Sequence, residues 1–387
     1  MRLVLLEPER PGSAWLPFAG ARPLAELRAG AWRIRERWAS LLRADDVITM
    51  GDHCAGFVDV DAAPHLPRGS VAGPALVARS DFAPAGAPTR SGALPPRLLH
   101  GDVTVAWAVS AGQVWTGPHD EGEAGPVEGH LLAGAWDLVT ALERLLLPDC
   151  VACLGERGGA APDGCLVLGD PGDLMCRGAT VEPGVVFDLR QGPVVLGNGV
   201  QVRSGSRLEG PLFVGAGSVL LGGAIRHSAI GPICRVHGEV ASSVLLGYAN
   251  KSHDGFLGHS VLGHWVNLGA GTITSNLKNT YGEIRLDLPG ARVETGRTNL
   301  GTLFGDHAKT AIGTLLSTGT VVGPAANVVG APVPRWVPPF AWGASGAERC
   351  GVEGFLATAR RVLPRRNVQV TEAVEQSLRA LHARLSA

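Results

Sequence analysis

An aliphatic residue returns every six positions through much of the C-terminal half of the chain: Leu196, Val202, Leu208, Val214 and Leu220 mark successive steps. The phase reappears at Ile230 and Val236, at Leu262 and Leu268, and at Leu316, Val322 and Val328, with a glycine after Leu196, Val214, Ile230, Leu262 and Leu268. Six residues rotate an α-helix by about 600°, so no helix face keeps such a column. A short strand, a tight turn and one inward aliphatic per six residues do keep it, and three such strands close a triangular coil that stacks on the next. From about Leu196 to Val329 the pattern predicts a parallel β-helix. Two stretches, Gly247–Gly258 and Asn276–Thr302, break the period and read as loops thrown out of a rigid prism, where functional residues tend to sit.

The flanks follow other rules. Residues 1–150 read as an α/β domain, with buried strands at Leu3–Leu6 and Val103–Val109. Leu24, Leu27, Ala31, Ile34, Trp38 and Leu41 fall three or four apart and predict one helix from Pro23 to Leu42. A second helix carries Leu138, Val139, Leu142, Leu145 and Leu146 and is expected to stop at Pro148. Residues 151–180 read as a linker or first irregular coil, and 181–330 as the β-helix. Residues 331–387 open on Pro332, Pro334, Pro338 and Pro339, interleaved with Trp336, Phe340 and Trp342. Helices near Glu353–Leu363 and Thr371–Leu385 then close the chain. In the last one, Val374, Leu378, Leu381 and Leu385 form a stripe suited to capping the open end of the prism.

Composition narrows the class. With 54 Gly and 27 Pro against 2 Tyr and 3 Met, short strands and tight turns are favoured over a helical bundle. Net charge is −1 and no long basic run occurs, so nucleic acid is not an expected partner. No apolar run approaches the roughly 18 residues of a membrane span, and the N-terminus turns charged too soon for a signal peptide. A cytoplasmic location is therefore expected. Seven scattered cysteines fit reduced thiols. Cys150-x-x-Cys153 with Cys165 and Cys176 is loosely similar to a zinc ribbon, but its second half is not a Cys-x-x-Cys, so ordinary buried thiols are the expectation.

The segment HDGFLGHSVLGHWVNLGAGTITSN, His253 to Asn276, resembles the acetyltransferase half of the bifunctional glucosamine-1-phosphate acetyltransferase / N-acetylglucosamine-1-phosphate uridyltransferase enzymes. LPFAGARPLAELRAGAWRIRERW (16–38), GYANKSHDGF (247–256), SNLKN (275–279), GDHAKT (305–310) and VPPFAWG (337–343) are similar to a divergent relative with a sugar-nucleotidyltransferase-like first domain. The resemblance implies a left-handed β-helix, acetyl-CoA as acyl donor, an amino-sugar phosphate as acceptor, and a homotrimer with active sites between subunits. No metal is implied for acyl transfer.

His253 stands where the family has its general base, and imidazole suits proton removal at neutral pH as a sugar amine attacks a thioester. Asn267 and Asn276 stand where the family contacts the sugar. Lys251 and Lys278 offer charge for a sugar phosphate, whereas Arg285 reads as a surface arginine. Ala270 and Gly271 are expected to present backbone amides near the thioester. Lys309 and Thr310 lie in the region that resembles the CoA side, and Arg360-Arg361 or Arg365-Arg366 offer charge for a CoA phosphate. Phe256 replaces a tyrosine that touches the sugar phosphate in the bifunctional enzymes, which separates the acceptor's identity from the proposed base.

The first domain departs further. Active sugar nucleotidyltransferases hold nucleotide phosphates on a Gly-rich loop after the first strand. Here Leu3–Leu6 leads into Glu-Pro-Glu-Arg-Pro-Gly, whose acids repel phosphate and whose prolines remove amide donors. Arg22-Pro23 echoes the family's Arg…Pro signature, but Leu24 stands where a lysine is expected. Asp52, Asp102 and Asp137 are weak candidates for Mg²⁺, which is called for only if this domain is active. The sequence thus favours an amino-sugar-phosphate N-acetyltransferase with a degenerate nucleotidyltransferase domain. The alternatives are an active Mg²⁺-dependent sugar-1-phosphate nucleotidyltransferase and a non-catalytic trimeric scaffold that binds sugar nucleotides.

Overall fold

A computed structural model describes residues 1–85, 94–155, 161–176 and 178–386. Part of the expected linker, residues 156–160 and 177, lies outside the described residues.

The N-terminal unit is built on a seven-stranded mixed sheet in the order Ala124–Pro126, Arg97–His100, Val103–Val109, Ala75–Arg79, Arg2–Leu6, Asp46–Met50, His65–Leu66. Arg2–Leu6 lies parallel to both Ala75–Arg79 and Asp46–Met50. The chain leaves its first strand toward one edge and returns on the other side, which creates a switch point at the carboxyl ends of these strands.

The expected helix over Pro23–Leu42 forms only from Ile34 to Leu42. Before it come a 3-10 turn, Leu24–Glu26, and a small hairpin pairing Arg28–Ala29 with Trp32–Arg33. Gly30 turns that hairpin at φ +66°, and a β-carbon there would strike Asp149 and Arg37. Ala31 N donates to Asp149 Oδ2 at 2.8 Å, so a distant carboxylate holds this backbone out of the helix. All six residues of the predicted stripe are nevertheless buried. Periodicity reported burial correctly but not conformation.

The second helix runs from Asp137 to Leu154, straight past Pro148. Proline removes one donor from the ladder, but Asp149 and Cys150 beyond it are buried, and Asp149 is tied to Ala31 N and Arg37. Those tertiary partners hold the last turns in place.

From Leu166 onward the chain winds into a left-handed parallel β-helix with three faces. Face 1 carries nine strands, from Leu174–Met175 to Trp336–Val337. Its inward column stacks Leu196, Val214, Ile230, Leu245, Leu262, Phe304, Val322 and Val337 in register. Face 2 stacks Val181, Val202, Leu220 and Val236 on Lys251, and face 3 stacks Phe187, Leu208, Ile225, Val240 and Leu257.

The expected loop at Gly247–Gly258 is no insertion. Asn250–Lys251 and Phe256–Gly258 are regular strands of faces 2 and 3, and the apolar period lapses because Lys251 occupies an inward aliphatic position. The second interruption is a true excursion, an antiparallel hairpin of Ile284–Leu288 and Ala291–Arg297.

Face 1 is apolar on both sides. Its outward residues, including Val195, Ala229, Val244, Val261, Leu303 and Val321, are fully buried in one core with the N-terminal sheet and helices. The C-terminal helices, Val352–Val362 and Glu372–Leu385, do not cover the open end as expected. They lie along the corner between faces 1 and 2, where Ile233, Tyr248, Trp265, His307, Ala325 and Phe340 all take φ near +60°. Bulky residues resist that region, and their rings are compensated by packing: Tyr248 stacks on Trp265 at 4.5 Å, and Phe340 meets Phe355 at 5.3 Å.

Candidate functional site

On face 2 the residue just before each inward position points outward, and these residues form a polar column: Arg235, Asn250, Asn267, Lys309 and Asn327 lie in register. A cavity of about 290 Å³ opens between this column and the 3-10 turn Leu363–Arg366, with Tyr248 and Trp265 at its side. Asn250 Nδ2 donates to Asn267 Oδ1 at 2.8 Å. Lys309 Nζ donates to His307 O at 2.8 Å, and burial pushes its ammonium down to about 8. Asn267 and Lys309, both expected at the site, are therefore brought together. Arg235 and Asn250 were missed, although their phase, one position before Val236 and Lys251, carried the signal.

The turn from face 2 to face 3 holds the other half of the expected site. His253 is exposed at this corner. The turn of the next coil stacks directly on it: Gly271 N donates to Asp254 O at 3.0 Å, and Gly313 N of the coil beyond donates to Ala270 O at 2.7 Å. Gly271 has thus spent its amide within the coil, which corrects its expected role as a donor to the reacting group. Ala270 N makes no such bond among the described residues and remains the amide available there. On face 3, Asn276 Nδ2 lies 2.8 Å from His259 Nδ1, a partner not foreseen from the sequence.

Three expected contacts fall elsewhere. Lys251 is buried, with its ammonium on His237 O at 2.9 Å and on His253 O, and burial pushes it down to about 8. It braces the His253 turn from inside rather than facing a phosphate. Thr310 is buried too, its Oγ1 accepting from Gly269 N at 3.0 Å and bonding Thr272 Oγ1 at 2.7 Å. Lys278 sits in the excursion, bonded to Glu283 O. Arg285 pairs with Glu294 on the exposed hairpin.

A second cavity, about 500 Å³, lies at the switch point of the N-terminal sheet. It is lined by Glu7, Glu9, Asp81, Asp102 and Asp120, with Arg68 and Arg79 as its cations. Both arginines are engaged, Arg79 with Asp81 at 2.8 and 2.7 Å and Arg68 with Glu7 O at 2.7 Å. The buried Glu7 carboxylate accepts from Leu24 N at 2.7 Å and Ala25 N at 3.1 Å, and contacts His53 at 3.0 Å. The amides that follow Pro23 are thus occupied by the protein's own anion. Of the three carboxylates considered for Mg²⁺, Asp52 accepts from Arg68 N, Asp137 accepts from Ala133 N, and only Asp102 lines the cavity. Among the described residues, no three His, Cys, Asp or Glu side chains come together to hold a metal ion. All seven cysteines are free thiols.

No protein-family model matches the chain. A bifunctional sugar-1-phosphate nucleotidylyltransferase/acetyltransferase of Sulfurisphaera tokodaii is 33% identical over 90 residues, covering 23% of this chain and 22% of that protein. A bifunctional protein GlmU of Methanocaldococcus jannaschii is 33% identical over 85 residues, 22% of this chain and 21% of its own. Another, from Methanococcus vannielii, is 31% identical over 93 residues, covering 24% and 22%. The match spans about a fifth of the length of these curated relatives, the first of which is named a nucleotidylyltransferase and acetyltransferase. No helix among the described residues is long and apolar enough to cross a membrane.

Proposed function

We propose that this protein is an acetyl-CoA-dependent N-acetyltransferase acting on an amino-sugar phosphate, with glucosamine-1-phosphate the first acceptor to test. The observation that carries the reading is the corner where the exposed His253 turn stacks under Ala270, whose amide has no acceptor among the described residues. Acetyl-CoA supplies an activated thioester. As the sugar nitrogen bonds to the acyl carbon and the C–S bond breaks, His253 takes the amine proton and returns it to the departing sulfur, so that CoA leaves as the thiol. Ala270 N–H is the donor for the oxygen that gains charge. Asn267 and Asn276 flank the corner on faces 2 and 3 and serve to orient the sugar. The chain works as a homotrimer in the cytoplasm. An exposed apolar stripe of Ile273, Ile312 and Leu315 beside this corner supports self-association.

The N-terminal domain is proposed to be degenerate in chemistry, because Glu7 fills its amide seat, Arg79 is paired with Asp81 and Arg68 donates to the Glu7 carbonyl. The described carboxylates do not fit a Mg²⁺ site. The switch-point cavity favours one rival, sugar-1-phosphate nucleotidyl transfer. Pyrophosphate release from an NTP, a sugar-1-phosphate and Mg²⁺ would establish it.

The test is a free-thiol assay with acetyl-CoA and a panel of amino-sugar phosphates. CoA release is expected with at least one acceptor and should fall about 100- to 10,000-fold in His253→Ala. A folded His253→Ala protein with full activity would sink the base assignment, and no CoA release across the panel would favour a non-catalytic scaffold.

A further inference from the structure

The cavity on face 2 has an unusual charge balance. Arg235, Lys309, Arg365 and Arg366 converge on it, and none of the residues lining it is acidic. Arg366 Nε is buried without a hydrogen-bond partner, and the guanidinium's other contacts are long, Nη1 to Arg365 O at 3.4 Å and Nη2 to Asn250 Oδ1 at 3.5 Å. Burial, then the neighbouring Arg235 and Arg365, push this guanidinium below its ordinary range. Like charges gathered in a partly desolvated recess repel one another, and a bound anion would relieve that repulsion. The neutral groups facing the recess add the Asn267 amide, whose Oδ1 is already taken by Asn250 and whose NH₂ is left to donate.

We propose that this recess is a phosphate seat, which grips a phosphate ester or diphosphate between the face 2 column and the Arg365-Arg366 turn. Guanidinium forks match phosphate oxygens in pairs, and about 290 Å³ is near the lower bound of ligand pockets, enough for a phosphate-bearing head group. Asn250 stands three residues before His253. A chain of three residues spans at most about 11 Å, so the recess and the proposed base share one coil. The seat's role in turnover rests on the acetyltransferase reading; its affinity for phosphate does not. Two sources share this chemistry, the acceptor's sugar phosphate and the phosphates of CoA.

Calorimetry on the full chain separates them without any turnover. Inorganic pyrophosphate should bind, more weakly as salt rises, and Arg365→Gln/Arg366→Gln should weaken it at least tenfold at unchanged circular dichroism. Arg292→Gln, which removes a charge from the exposed hairpin, should leave binding as it is. Glucosamine-1-phosphate and CoA are then titrated into the same proteins. A selective loss for the sugar phosphate assigns the seat to the acceptor, and a selective loss for CoA assigns it to the donor. Unchanged pyrophosphate affinity in the double variant, or no binding to the full chain at millimolar concentration, overturns the proposal. An absence of CoA release in the thiol assay would overturn the acetyltransferase reading alone.

Discussion

Arg22, in the N-terminal unit, donates from Nε to Oδ2 of Asp306, in the β-helix, at 2.9 Å across 284 residues of sequence. Its other arm pairs with Asp59, and Asp59 meets His264 of the β-helix at 2.8 Å. Asp306 also accepts from His264 N at 2.9 Å. Burial works against ionisation of Asp59, but His264 and Arg22 outweigh it and hold the carboxyl well below the usual range. The contribution of this carboxylate to stability is therefore full above about pH 4, the ordinary range, and is lost as pH falls from there toward its lowered folded value.

The first prediction concerns this joint. Both side chains are almost wholly buried, and removing one member of a buried pair leaves the other uncompensated, at a cost of about 3–5 kcal/mol. Arg22→Met and Asp306→Asn should each lower the melting temperature. The double variant should recover part of the loss. Fully additive losses would show that the two residues do not act as a pair.

Acid should act through His307. Burial, with Lys309 close by, pushes this ring down to about 3 against a weaker pull from Asp59. A histidine held neutral in the fold but free to protonate when unfolded loses its contribution as pH falls from about 6.5 toward 3. Within that window stability should drop by about 1.4 kcal/mol per pH unit. His307→Asn, which tolerates the φ of +62°, should flatten the slope in urea titrations between pH 7 and 4. An unchanged slope would mean that another group carries it.

Lys251 separates positioning from binding. Its ammonium holds the carbonyls of His237 and His253 from within the prism. Lys251→Met should fold, because an unbranched apolar chain suits an inward position. Misplacing the His253 turn by about 1 Å should lower kcat by up to about 100-fold, with KM for the sugar phosphate unchanged. A raised KM at constant kcat would instead make Lys251 a phosphate contact.

Gly255 is where the corner tolerates no side chain. Its φ is +129°, and a β-carbon would strike the Thr272 carbonyl. Gly255→Ala should cost about 1–3 kcal/mol in backbone strain alone, read as a lower urea midpoint, with acetyl transfer falling alongside. A fully stable variant would show that the corner is looser than its stacking implies.

The prism was legible because its signal is local. One buried aliphatic per strand repeats with the chain's own geometry, so Leu196 through Leu220 announce it without any distant partner. The same rule misled at Lys251, where a buried ammonium satisfied by two carbonyls looked like a broken period. Arg235 and Asn250 were equally local, one step before an inward residue, and the phase could have found them.

What the sequence determined by itself is the column of the β-helix and the placing of Asn267 on it, because both depend only on counting residues along a regular coil, whereas the structure moved His253 from an expected loop to a corner of that coil. Tertiary structure alone decided the rest. It kept Leu24–Ala31 out of a helix through Asp149, drew the C-terminal helices along the aromatic corner, paired Arg22 with Asp306, and set Arg365 and Arg366 opposite Asn267 and Lys309. Each of these joins residues tens to hundreds of positions apart, where burial and charge pairing act through space and leave no period in the chain.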